Sequence, residues 1–112
     1  MSLLTDIVKT EIREHSFEEW PNECCGLIIE SEGKDRVIKC KNSAEDKTKF
    51  FEIDSKDYLR ASRIGQVKAY YHSHPEQSPH LSGADKAVSI SQKLPLIMYS
   101  ITNNKFIEYN EQ

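Results

Sequence analysis

His72-Ser73-His74-Pro75-Glu76-Gln77-Ser78-Pro79-His80-Leu81-Ser82-Gly83-Ala84-Asp85 is the stretch on which the reading of this chain turns. Val67 to His72, which leads into it, is aromatic and β-branched and reads as a strand. Pro75 and Pro79 mark a loop from Ser73 to Leu81, and Ser82 opens a helix carrying Ala84, Ala87, Val88 and Ile90. Residues two apart in extended backbone point to one face, so His72 and His74 would converge. Asp85 falls in the first turn of the helix that follows. Two histidines and an aspartate, with a fourth position left open, make the donor set of a catalytic zinc site; a closed structural site needs a fourth protein ligand. Each piece also has a plainer reading. Histidines two apart occur at polar strand ends, and Ser82-Gly83-Ala84-Asp85 is a capping box in which the Asp85 carboxylate would reach back to the helix start. The two uses of Asp85 compete for one carboxylate.

Outward from this stretch the chain alternates short strands and helices. Residues 3 to 15 place Leu3, Leu4, Ile7, Val8 and Ile12 at helical spacing, and Phe17 and Trp20 are expected to continue that packing rather than form a substrate platform. Pro21-Asn22 punctuates the next loop. Cys25 to Glu30 and Arg36 to Lys41 read as the two strands of a hairpin turning at Ser31-Glu32-Gly33-Lys34. Phe50 to Ile53 is rich in strand formers, and Asp54 or Ser55 would cap a helix running to Gly65. Of Tyr70 and Tyr71, on alternate faces of their strand, one is expected in the core. Leu94 to Thr102 and Lys105 to Tyr109 form the last strands, joined by a tight turn at Asn103-Asn104. The order α-β-β-β-α-β-α-β-β predicts an α/β fold, a mixed β-sheet flanked by helices.

Length and charge bound the function classes. At 112 residues the expectation is a single domain spanning residues 1–112. With 15 basic against 18 acidic residues the net charge is −3, which argues against nucleic acid as a partner. The longest apolar stretch, Leu94 to Tyr99, contains Pro95 and falls far short of the ~20 residues that span a bilayer, so no membrane partner is expected. The first residues carry neither the basic nor the apolar region of a secretory leader. Cys24, Cys25 and Cys40 are odd in number and hold no Cys-x-x-Cys, which fits free thiols in a reducing, cytoplasmic setting. Cys24 and Cys25 read as small buried residues rather than as a nucleophile.

His-x-His-Pro, followed at fixed spacing by Ser82 and Asp85, resembles the metal motif of the JAMM (MPN+, JAB) metalloprotease family. Asn22-Glu23-Cys24-Cys25-Gly26 is similar to the element that carries the family's glutamate, in the form common in bacterial and phage members. Phe50-Phe51-Glu52-Ile53-Asp54 before a helix is similar as well, so the likeness covers roughly residues 20 to 100. It implies the JAB/MPN, cytidine-deaminase-like fold. It also implies one Zn2+ per chain on His72, His74 and Asp85, with Glu23 as the general base for a metal-activated water. Ser82 would stabilise the oxyanion or position the water, alongside its capping role. His80 reads as a loop residue, though a stray ligand is conceivable, and Ser73, on the opposite face from its neighbours, as packing.

The function implied is a zinc metallopeptidase or isopeptidase acting on a protein or peptide, near the C-terminal tail of a ubiquitin-like or sulfur-carrier protein. An extended tail would bind by strand addition. Ser78-Pro79-His80-Leu81-Ser82 and Cys24-Cys25-Gly26 also look like the JAMM domain of phage tail-assembly proteins. That alternative implies a peptidase acting on a tail protein or a cell-wall peptide, in the virion or the host cytoplasm. A third reading is a non-catalytic MPN scaffold; such relatives usually lack a ligand, and here all motif positions are filled. A zinc nucleobase deaminase would need His-x-Glu and Pro-Cys-x-x-Cys, and neither occurs. For self-association the sequence favours no state.

Overall fold

A computed structural model describes residues 3–76 and 83–110. Its elements are α1 (Asp6–Glu19), β1 (Cys25–Ser31), β2 (Lys34–Cys40), α2 (Ser55–Ile64), β3 (Gln66–His74), α3 (Gly83–Gln92), β4 (Leu96–Ser100) and β5 (Lys105–Tyr109). The strands form one sheet in the order β2-β1-β3-β4-β5. All neighbours are antiparallel except β3 and β4, which run parallel because α3 carries the chain back between them. This is the mixed sheet flanked by helices that the sequence predicts.

α1 covers one face. It begins at Asp6 because the Thr5 side chain accepts the Val8 N–H, and it ends before Pro21, which holds Trp20 in extended backbone (ψ 135°). Its buried stripe is Val8, Ile12, His15 and Ser16. Phe17 lies roughly opposite that stripe at 100° per residue, and Trp20 lies beyond the helix. The expectation that both continue the packing is therefore corrected: Phe17 is 59% exposed and Trp20 52%, and Ile7 also faces outward. Val8 and Ile12 pack with Cys24, Ile28, Ala69, Tyr71, Ile97 and Tyr99. The opposite face of the sheet buries Cys25, Leu27, Ile29, Cys40, Tyr70 and Leu96 with Ala61 of α2, and Val88 of α3 packs against them. Tyr70 and Tyr71 thus both enter the core, one on each face.

The β1–β2 hairpin turns on Glu32 and Gly33, both with positive φ (53° and 77°), as the right-handed strand twist requires of a two-residue loop. The strand expected at Phe50 to Ile53 is reduced to one bridge, Asn42 with Ile53. The Asn42 side chain occupies the place of a neighbouring strand: its amide bonds the Phe50 carbonyl (3.0 Å) and the Glu52 N–H (3.1 Å). Gly65 ends α2 in extended backbone. Glycine is needed there because an added Cβ would strike the Glu30 carbonyl. Among the described residues no helix is long and apolar enough to cross a membrane.

Candidate metal centre

β3 lies at the middle of the sheet, and Ala69 to His74 are buried along it. Alternation sends Ala69 and Tyr71 toward α1 and Tyr70, His72 and His74 toward α2 and α3. The two imidazoles meet with Nε2 atoms 3.3 Å apart. The first turn of α3 sets Asp85 against both. Its Oδ1 is 3.2 Å from His72 Nε2, and its Oδ2 is 3.0 Å from His74 Nε2. The carboxylate over which two uses compete is therefore turned to the histidines. Glu23 has the parity of Cys25, which pairs with His72 across the β1–β3 register. It is 1% exposed, and one donor atom each from Glu23, His72 and His74 lie within 4.8 Å of one another.

This donor set fits a metal ion. A cation holding imidazole nitrogens at about 2.0–2.1 Å in tetrahedral geometry sets neighbouring donors about 3.3 Å apart. The His72–His74 Nε2 separation of 3.3 Å matches that edge, and one Asp85 oxygen stands beside each ring, at 3.2 Å and 3.0 Å. Burial holds the His72 pKa below its ordinary value, against the upward pull of the Asp85 carboxylate, so the ring is neutral and offers a lone pair. Two buried imidazoles facing each other through Nε2, with a carboxylate between, make a site that a cation would stabilise.

Neighbouring groups hold the cluster in place. Phe51 stacks on His72, ring centroids 4.5 Å apart at 23°. The His74 carbonyl accepts the Ile101 N–H (3.1 Å), and the Pro75 carbonyl accepts the Thr102 hydroxyl (3.1 Å), so the end of β3 is tied down after the ligands. Ser73 does more than pack. Its hydroxyl accepts the Cys24 N–H (2.9 Å), and its own N–H donates to the Cys24 carbonyl (3.1 Å). The residue between the two histidines is thereby latched to the residue after Glu23. Glu23 itself donates its N–H to the Lys47 carbonyl (2.7 Å) and accepts from Asn42 Nδ2 (2.9 Å). In the sequence Asn42 is one polar residue of the stretch between Lys41 and Phe50. Its available signal was local: Asn42 accepts the Ala44 N–H (2.9 Å), an Asx turn.

Ser82 and His80 lie outside the described residues. Cys24, Cys25 and Cys40 are free and buried, and burial pushes the Cys24 thiol up to about 11 and Cys40 to about 12. A thiol held that far toward its protonated form is not a nucleophile at neutral pH, in keeping with the small-buried-residue reading.

A family model described as prokaryotic homologs of the JAB domain matches residues 5–110. The tail tip assembly protein K of Escherichia phage N15 is 34% identical over 84 residues, which cover 75% of this chain. The matched segment spans 35% of that relative's length, about a third. Among solved structures, a Desulfitobacterium hafniense protein superposes with a TM-score of 0.75 at 23% identity, over 93% of this chain and 78% of that one. A Salinibacter ruber protein superposes with a TM-score of 0.66 at 19% identity, over 96% and 80%. Both have the same fold. With its sheet, its buried Glu/His/His group and a family match over nearly its whole length, the chain belongs to the prokaryotic JAB-domain family.

Proposed function

We propose that this chain is a zinc-dependent peptidase or isopeptidase. The observation that carries the reading is the buried meeting of His72, His74 and Asp85 at 3.0–3.3 Å with Glu23 inside the same cluster. His72, His74 and Asp85 would hold the ion. When bound, zinc supplies Lewis acidity and a water that ionises near neutral pH. Glu23 then takes the proton of the attacking water and returns it to the leaving amine. Its burial beside both histidines sets its carboxylate within reach of a water at the site. Ser82 would donate a hydrogen bond to the developing oxyanion or position the water.

Backbone geometry supports an extended peptide as substrate. Across the Asn42–Ile53 bridge, the Ser43 N–H donates to the Glu52 carbonyl (2.8 Å) and the Asp54 N–H to the Lys41 carbonyl (3.0 Å). Asn42 and Ile53 are therefore a non-hydrogen-bonded pair, and the N–H and C=O groups of Phe51 and Ile53 turn to the opposite side. A substrate strand added there would lay its side chains in a cleft of about 470 Å³ lined by Phe51, Ile53, Tyr58, Leu59, Tyr70 and Val88. Phe51 belongs both to that cleft and to the wall of the metal cluster.

The substrate class that the family resemblance implies is the C-terminal tail of a ubiquitin-like or sulfur-carrier protein. The likeness to a phage tail tip assembly protein favours a second substrate, a tail component cleaved during assembly, which would place the chain in the host cytoplasm or the virion. The test is cleavage of Gly-Gly-tailed fusions, tail proteins and crosslinked peptides by zinc-loaded protein. The reading expects at least one to be cut, chelation to stop the reaction, and Glu23→Gln to retain zinc while losing at least ~10²-fold in rate. Absence of cleavage across the panel by fully loaded protein would leave a scaffold as the better reading. Near-normal turnover by Glu23→Gln would remove Glu23 as the base.

A further inference from the structure

Asn42 follows the end of β2 and is 6% exposed. Its side chain makes four hydrogen bonds. Nδ2 donates to the Glu23 carbonyl (2.9 Å) and the Phe50 carbonyl (3.0 Å); Oδ1 accepts the Ala44 N–H (2.9 Å) and the Glu52 N–H (3.1 Å). A primary amide has two N–H donors and two carbonyl lone pairs, so every position is filled. Aspartate would keep the acceptors and lose the donors. Alanine would lose both.

Three of the four partners belong to two functional parts of the molecule; the fourth, Ala44, closes the local Asx turn. Glu23 is the proposed base. Phe50 and Glu52 flank Phe51, which stacks on His72 and borders the cleft. One planar group thus spans the base and the segment along which an extended substrate would lie. The second backbone group of Glu23, its N–H, is held by Lys47 of the same loop (2.7 Å). None of the four bonds goes to His72, His74 or Asp85, so the amide itself contacts none of the three proposed ligands.

We propose that Asn42 is a positioning residue. It sets Glu23 and the segment Phe50–Ile53 at a fixed spacing, so that a peptide laid on the segment arrives in register with the Glu23 carboxylate. The inference rests on the peptidase reading of the same cluster. A base displaced by about 1 Å can lose 10²-fold in rate, which is the scale expected here.

Amide hydrogen exchange tests the clamp without any substrate. In the wild type the Asn42 Nδ2 protons should exchange at least about tenfold more slowly than those of solvent-facing Asn110. Equal rates would overturn the proposal with no variant needed. In Asn42→Ala the Ala44 and Glu52 amides should lose about tenfold or more of their protection, and in Asn42→Asp they should keep it. Unchanged protection in Asn42→Ala would also overturn it. Kinetics tests the consequence. Zinc-loaded Asn42→Asp should bind wild-type zinc and hold KM within about threefold while kcat falls roughly 10²-fold on a peptide the wild type cuts. A variant merely unfolded would lose zinc and active fraction together. Wild-type kcat in folded, loaded Asn42→Asp would overturn the proposal. A wild type that cuts nothing counts instead against the peptidase reading, and the exchange experiment still decides whether Asn42 holds the two parts together.

Discussion

His15 shows what burial does to a single ionisable side chain in this protein. It belongs to the buried stripe of α1, its Nδ1 sharing a 2.7 Å hydrogen bond with the Tyr71 hydroxyl. Burial first, and the Lys39 charge second, lower its pKa from 6.5 to about 4. Between those values the unfolded chain binds a proton that the folded chain does not, so stability falls as pH drops through this window. The contribution lost between pH 7.5 and pH 5 is about 2 kcal/mol, rising to about 3 kcal/mol below pH 4. Urea unfolding of wild type and His15→Gln at pH 7.5 and pH 5 should show the variant losing about 2 kcal/mol less between them. Equal losses would mean that His15 is already protonated in the fold. This lowered pKa is not legible in the sequence, where His15 is one polar position on an amphipathic helix. By contrast, the common face of His72 and His74 follows from strand alternation alone, and it was legible.

At the scale of elements, the latch between β1 and β3 deserves its own measurement. Ser73 accepts the Cys24 N–H, and both residues are buried, so removing the hydroxyl strands a backbone donor away from water. Ser73→Ala should cost about 1–3 kcal/mol in denaturant unfolding, and Ser73→Thr, which keeps an oxygen there, should recover most of it. Full stability in the alanine variant would mean that the latch is not made in solution. Strand and helix order were largely readable because the hairpin, β3 and β5 carry strong local patterns. Phe50 to Ile53 was misread for a definite reason. Its composition favours a strand, but pairing there is completed by the Asn42 side chain, whose partner Glu23 lies 19 residues away. Propensity cannot register a side chain that substitutes for a strand. Phe17 was misread differently: hydrophobicity predicts burial, but its helical angle sets it outside the buried stripe.

For the whole molecule, the topology explains why four distant positions meet. Antiparallel pairing of β1 with β3 brings Glu23 beside the His-bearing end of β3. The parallel β3-α3-β4 crossover returns the first turn of α3, with Asp85, to that same end. The motif spacing in the sequence points to Asp85 as cap or ligand; the folded crossover sets its carboxylate 3.0–3.2 Å from the two imidazoles. On the peptidase reading, this meeting point holds one zinc ion. The direct measurement is metal content per chain by elemental analysis, on wild type and His74→Ala purified identically and then incubated with added zinc. About one zinc per wild-type chain and little in the variant are expected. Little zinc in both, or equal zinc in both, would contradict it.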